Sequence, residues 1–195
     1  AFVSACVDSA RIAKAVAQFM RTMVSFNSRL DRVLYGPESF TQSEYNGYEL
    51  FQLEGGDPAD GQGRQWGADC FHCHGGTFTF FTDHQLHNNG LDAEFDDPGA
   101  YAVTGNQLDL GRFRTPTLRN IGYTAPYMHD GRFQTLDEVV DHYDSGGVPS
   151  ATIDPFMKYT QGGLQLSDQA KADLIAFLNM LNDEEFINNP DFSNP

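Results

Sequence analysis

Cys70, Phe71, His72, Cys73 and His74 stand consecutively or nearly so, and these residue types at this spacing can do specific chemistry. The two thiols fall on one turn, where both can form thioether bonds to the vinyl groups of a haem, and the adjacent His74 can meet the iron from one side. Two other readings compete. Zinc normally takes four ligands, yet the remaining cysteine, Cys6, lies on another segment with no Cys-x-x-Cys or His-x-x-x-His partner. A disulfide within the pair would suit a redox domain, but no βαβ pattern surrounds it. The motif therefore predicts one covalent haem c with His74 as an axial ligand. Such attachment takes place outside the cytoplasm, so a periplasmic or extracellular location is expected.

The sixth iron position decides between electron transfer and chemistry, because a second strong ligand blocks substrate and an open site admits it. Met128, Tyr143, His129, His142, His84 and His87 have the right chemistry. For the histidines, a hydrogen-bonded surface or supporting role is the competing reading.

Composition narrows the partners. The chain has 195 residues, 40% hydrophobic and 13% aromatic, enough to bury a real core. Its formal charge of -15 is uneven: residues 1–40 hold five Lys or Arg against three Asp or Glu, and 41–195 hold seven against 24. An acidic body repels nucleic acid and anionic membranes and can steer a redox partner with a basic docking face. A simple solubility surface is the alternative. No apolar run is long enough for a membrane span. The chain opens at Ala1 without a charged-then-apolar leader, which reads as a leader removed or a start within a longer protein.

Elements must position these residues. Asp8 or Ser9 can cap a helix to about Leu34, with Ile12, Val16, Phe19, Met23, Leu30 and Val33 at helical spacing. Thr41 with Glu44 makes a capping box for a second helix, ended by Gly55 and Gly56. Residues 75–134 carry Gly, Pro, Asn and Asp at short intervals and read as a long loop wrapped around something. Thr135 with Glu138 boxes a helix through Tyr143, and Ser167 caps the last long one, with Leu174, Ile175, Phe177, Leu178 and Leu181 as its buried stripe. Residues 184–195 read as an extended tail.

One stretch carries a resemblance. Residues 111–143 run from Gly111-Arg112-Phe113-Arg114-Thr115-Pro116 through Leu118-Arg119-Asn120 and Pro126-Tyr127-Met128-His129-Asp130-Gly131 to His142-Tyr143. They resemble the bacterial dihaem cytochrome c peroxidase and MauG family. His87-Asn88-Asn89-Gly90-Leu91 supports the match, as does Ala15 to Arg32, which resembles the helix closing the family's peroxidatic pocket.

The resemblance implies an all-α, cytochrome c-like haem domain with long loops over residues 41–183, the carboxyl-terminal domain of such proteins. Residues 1–40 then resemble the last helix of an amino-terminal, peroxidatic-type domain that is otherwise missing or supplied as a separate subunit. Cys6 supplies no second haem motif. The family places a catalytic glutamate where this chain has Met20, and a thioether cannot shuttle protons. Tyr143 matches the axial position, as in the MauG group, and Met128 is its rival. The resemblance also implies that backbone carbonyls of Thr124 and Pro126 help to bind calcium. Arg112, Arg114 and Arg119 could pair with haem propionates or hold the loop, and Trp66 could lie on an electron path or simply pack. The expected function is electron transfer within a dihaem peroxidase-like oxidoreductase. The alternatives are a stand-alone monohaem carrier or structural subunit of a larger redox assembly, and last a zinc-binding interaction domain.

Overall fold

The computed structural model describes residues 7–56, 66–75 and 79–193. Cys6 and the Gly-, Asp- and Gln-containing stretch over 57–65 lie outside them. In chain order the elements are α1 (Ser9–Met20), α2 (Arg29–Tyr35), α3 (Gln42–Gln52), α4 (Phe71–His74), β1 (Leu86–His87), α5 (Tyr101–Thr104), β2 (Phe113–Arg114), α6 (Leu136–Ser145), α7 (Asp168–Asn179) and α8 (Glu184–Ile187). The described fold is thus helix-rich with one small sheet, in which Leu86 faces Arg114 and His87 faces Phe113 in antiparallel register.

The capping signals work as local chemistry requires. Thr41 with Glu44 and Thr135 with Glu138 form reciprocal capping boxes at α3 and α6, and the Ser167 side chain accepts from the Ala170 amide at α7. Gly146 closes α6 at φ 85°, the left-handed conformation that glycine adopts without steric penalty.

α3 and α7 form the central crossing. Gly47 permits it, since a Cβ there would stand 1.9 Å from the Asp173 carbonyl oxygen. Asp173 on α7 locks the crossing by accepting hydrogen bonds from Asn46 (3.0 Å) and Ser43 on α3, and is itself steadied by Gln169 on its own helix (2.9 Å). Phe177, fully buried, has its ring centroid 5.1 Å from Phe51, 5.6 Å from Tyr48 and 6.4 Å from Phe81. Each such buried Phe contributes roughly 2–3 kcal/mol of transfer free energy. Leu30, Met180 and Leu181 extend this core.

Two expectations are corrected. A single helix from Asp8 to Leu34 does not form: α1 stops at Met20 and α2 starts at Arg29. The intervening segment gives its polar groups to a distant carboxylate, with Ser25 Oγ 3.1 Å and the Asn27 amide 2.9 Å from Asp183. Ser28 and Asp31 then cap a new helix. α1 itself buries no residue, and its apolar positions Ile12, Val16 and Phe19 stay exposed, Phe19 meeting Phe192 edge-on at 6.1 Å.

Residues 184–195 were expected to be extended, but α8 and a 3-10 turn at Pro190–Phe192 form there. Asp183 accepts from the Phe186 amide and Asn189 from the Asp191 amide, and Phe186 packs on Phe192 at 5.4 Å. The loop reading of 75–134 holds in outline for the described residues, interrupted by α5, the two-residue strands and short 3-10 turns.

Candidate functional site

A cavity of about 700 Å³ opens between α4, the 113–129 stretch, α6 and residues 154–159. That volume is within the ~300–1,000 Å³ of cofactor pockets. Cys70, Cys73 and His74 form part of its wall, together with Tyr143, Met128 and Asn89. Arg114, Arg119, Thr124 and Pro126 line it as well, whereas Trp66, Arg112 and Met20 do not. The long loop therefore wraps a real cavity.

His74 is held in one tautomer. Its Nδ1 lies 2.9 Å from the Phe81 carbonyl oxygen, which can only accept, so the proton is on Nδ1 and the lone pair on Nε2. Burial lowers its pKa, outweighing the Phe81 carbonyl and Asp83. Burial likewise pushes both thiols up to about 12, with Asp69 acting on Cys70 and Asp154 on Cys73. Two thiols and an imidazole oriented through its Nδ1 line one cavity, a donor set that fits covalent haem with nitrogen ligation.

The two rivals for the sixth position sit side by side. Asn89 Nδ2 donates to Tyr143 Oη at 3.2 Å and to Met128 Sδ at 3.4 Å. Burial raises the Tyr143 hydroxyl to about 12, against the Asn89 hydrogen bond. Met128 takes a φ of 72°, rare for a side chain of its kind. Two histidine candidates have polar partners of their own, His142 Nε2 donating to the Asn89 carbonyl at 2.9 Å and His84 Nδ1 accepting from Arg114 at 3.0 Å, while His129 lines the cavity and stacks on Phe113 at 3.7 Å.

His87 lies between two carboxylates, with Nδ1 2.7 Å from Asp154 and Nε2 2.8 Å from Asp83. Both partners only accept, so both ring nitrogens carry protons and the ring is an imidazolium. Burial opposes this charge, but the two carboxylates outweigh it and raise the pKa.

Arg119 reaches the cavity wall with its guanidinium already engaged. Nη1 and Nη2 each stand 2.8 Å from Asp31, and Nε donates to the Thr79 carbonyl. Near the motif, Lys158 Nζ lies 2.6 Å from Glu54 and 3.0 Å from Asp69, and His72 stacks on Phe156 at 4.3 Å. Thr124 and Pro126 lie together on the cavity wall, and the Thr124 hydroxyl donates to the Ile121 carbonyl at 3.1 Å.

Sequence reasoning missed Asn89 as a functional residue. The signal was present in the run His87 to Leu91, but nothing in the spacing says what its carboxamide touches.

The described chain is helix-rich around a cavity walled by Cys70, Cys73 and His74, and its fold is that of MauG-like and dihaem peroxidase proteins. The solved structure of a MauG-like protein associated with microbial copper homeostasis superposes with a TM-score of 0.83 at 35% identity, covering 99% of this chain and 59% of that one. Cytochrome-c peroxidase IdrP1 of Pseudomonas sp. (strain SCT) is 34% identical over 205 residues, 88% of this chain and 49% of that protein. Methylamine utilization protein MauG of Methylorubrum extorquens is 32% identical over 180 residues, 91% of this chain and 46% of that protein. Over most of its own length the chain is similar to bacterial cytochrome c peroxidases and MauG proteins. It spans about half the length of the curated relatives it matches. No family model matches the sequence.

Proposed function

We propose that this chain is a c-type haem electron-transfer domain, equivalent to the carboxyl-terminal half of a dihaem peroxidase-like oxidoreductase. Residues 41–183 form the cytochrome c-like unit in this reading, and residues 1–40 belong to the amino-terminal, peroxidatic-type side. One observation carries the proposal: Cys70, Cys73 and a His74 with its lone pair on Nε2 share the wall of a single 700 Å³ cavity.

A haem bound there would supply an iron that gains and loses one electron. The chain does the rest. Cys70 and Cys73 would tether the group as thioethers, and the Phe81 carbonyl orients His74 and strengthens its nitrogen as a donor. Tyr143 or Met128 would supply a second protein ligand, and a site so filled would serve electron transfer rather than admit a substrate. Arg114, on the cavity wall with one guanidinium nitrogen 3.0 Å from His84 Nδ1, keeps further N–H groups for a propionate, whereas the Arg119 guanidinium is held by Asp31.

The acidic body, at a net charge of -15, supports a redox partner with a basic docking face, in the periplasm or outside the cell. Met20 favours the second reading, a monohaem carrier or structural subunit without peroxidase activity, because an exposed thioether stands where the family has its glutamate.

Haem staining on a denaturing gel and a sharp α-band on reduction are the expected results for the purified chain, and their absence would sink the proposal. Peroxide turnover by the chain with an electron donor would exclude the pure carrier.

A further inference from the structure

We infer that Asn89 selects the sixth haem ligand, holding Met128 off the iron and leaving Tyr143 to bind. The inference rests on the haem reading proposed above and concerns a residue to which that reading gives no role.

Asn89 is placed rigidly. Its carbonyl accepts from His142 on α6 at 2.9 Å. Its predecessor Asn88, 2% exposed, is tied by its carboxamide to Ser150 (3.0 Å) and Thr152 (3.1 Å), and its carbonyl accepts from the Asp154 amide. Its successor Gly90 donates to Asn88 Oδ1 at 3.0 Å and accepts from the Val148 amide at 2.7 Å. The carboxamide of Asn89 therefore projects from a clamped turn, and its position is not adjusted by the groups it meets.

Those groups are the two rivals. A carboxamide nitrogen carries two protons, and Asn89 Nδ2 has two acceptors within reach, Tyr143 Oη at 3.2 Å and Met128 Sδ at 3.4 Å. The same bond acts on them in opposite directions. A ligating tyrosine oxygen is anionic, and an N–H aimed at it strengthens as charge develops. A thioether is neutral and a weak acceptor, and an N–H on its sulfur draws off lone-pair density that iron would use and turns the side chain toward the amide. Without that bond, the unbranched Met128 side chain has three rotatable bonds with which to turn its sulfur into the cavity. Asn89 thus acts as a positioning residue that favours the hard oxygen over the soft sulfur, and with it a low potential.

The test uses the haem-loaded full chain and its near-infrared spectrum, where a thioether bound to ferric haem gives a charge-transfer band. The wild type is expected to lack the band, and Met128→Leu to match the wild type in spectrum and potential. Asn89→Leu is expected to gain the band and shift to higher potential, and Asn89→Leu with Met128→Leu to lose it again. A thioether band in the wild type, a changed potential in Met128→Leu, or an Asn89→Leu haem protein with an unchanged spectrum would each overturn the inference while leaving the haem reading in place. A wild type without covalently retained haem overturns both. The Met128→Leu arm can still overturn the inference if Asn89→Leu does not fold, and Asn89→Ala, a smaller truncation expected to gain the same band, then stands in for it.

Discussion

Arg119 and Asp31 form a two-point ion pair, 2.8 Å at each contact, that joins the loop lining the cavity to a helix 88 residues earlier in the chain. Both side chains are nearly inaccessible, 9% and 6% exposed, so neither charge has water to fall back on. Removing one partner leaves the other buried and uncompensated, which costs about 3–5 kcal/mol. Arg119→Met should therefore lower stability by about that amount, read by urea unfolding. Burial alone would raise the Asp31 pKa, but Arg119 and Ser28 outweigh it and hold it below the ordinary value of 3.8. A depressed folded pKa means stability that is present above the unfolded value and lost as pH falls through the folded one. The wild type should lose stability below about pH 4 from this pair, and Arg119→Met should show a shallower loss there.

The His87 clamp works in the opposite direction. Its folded pKa lies above the ordinary 6.5, so its contribution is complete below that value and is lost as pH rises through the folded pKa. Asp154→Asn removes one carboxylate and should flatten the fall in stability above about pH 6.5, measured as thermal midpoint against pH. An unchanged profile would contradict the imidazolium assignment.

Gly47→Ala tests the α3–α7 crossing. The added methyl would meet the Asp173 backbone carbonyl at 1.9 Å, and backbone cannot step aside as a flexible side chain can. A loss of about 1–3 kcal/mol or more is expected despite alanine's better helix propensity. A neutral or stabilising effect in denaturant titration would show that the helices separate freely.

His74→Ala separates attachment from ligation. The thioethers from Cys70 and Cys73 would remain, so haem staining on a denaturing gel should persist, while the sharp α-band of the reduced protein should be lost with the nitrogen ligand. Retention of that band would mean that another residue supplies the axial nitrogen.

Much of this protein is legible locally. The capping boxes of Thr41 with Glu44 and Thr135 with Glu138, the Ser167 cap and the Gly146 stop each involve residues within a few positions, so their chemistry shows in a string of letters. The break between Met20 and Arg29 does not, because the group that claims Ser25 and Asn27 is Asp183, more than 150 residues away. Helical spacing of apolar residues continues through that break, and periodicity alone reads it as one helix. The short helix after Asp183 is hidden for a different reason: it is four residues long, held by a local cap and one aromatic contact, with no apolar period to read.

The same division runs through the site. Cys70, Cys73 and His74 are neighbours in sequence, so their types and spacing alone predicted covalent haem, and residues 111–143 alone pointed to the family. Which partner each polar group takes was decided only in the folded chain. Asn89 meets Met128 and Tyr143 across 39 and 54 residues, and Arg119 is claimed by Asp31 rather than left for a propionate. Covalent chemistry needs only adjacent atoms, which sequence order supplies. Hydrogen bonds among distant residues need a shared location, and only burial of the core supplies that.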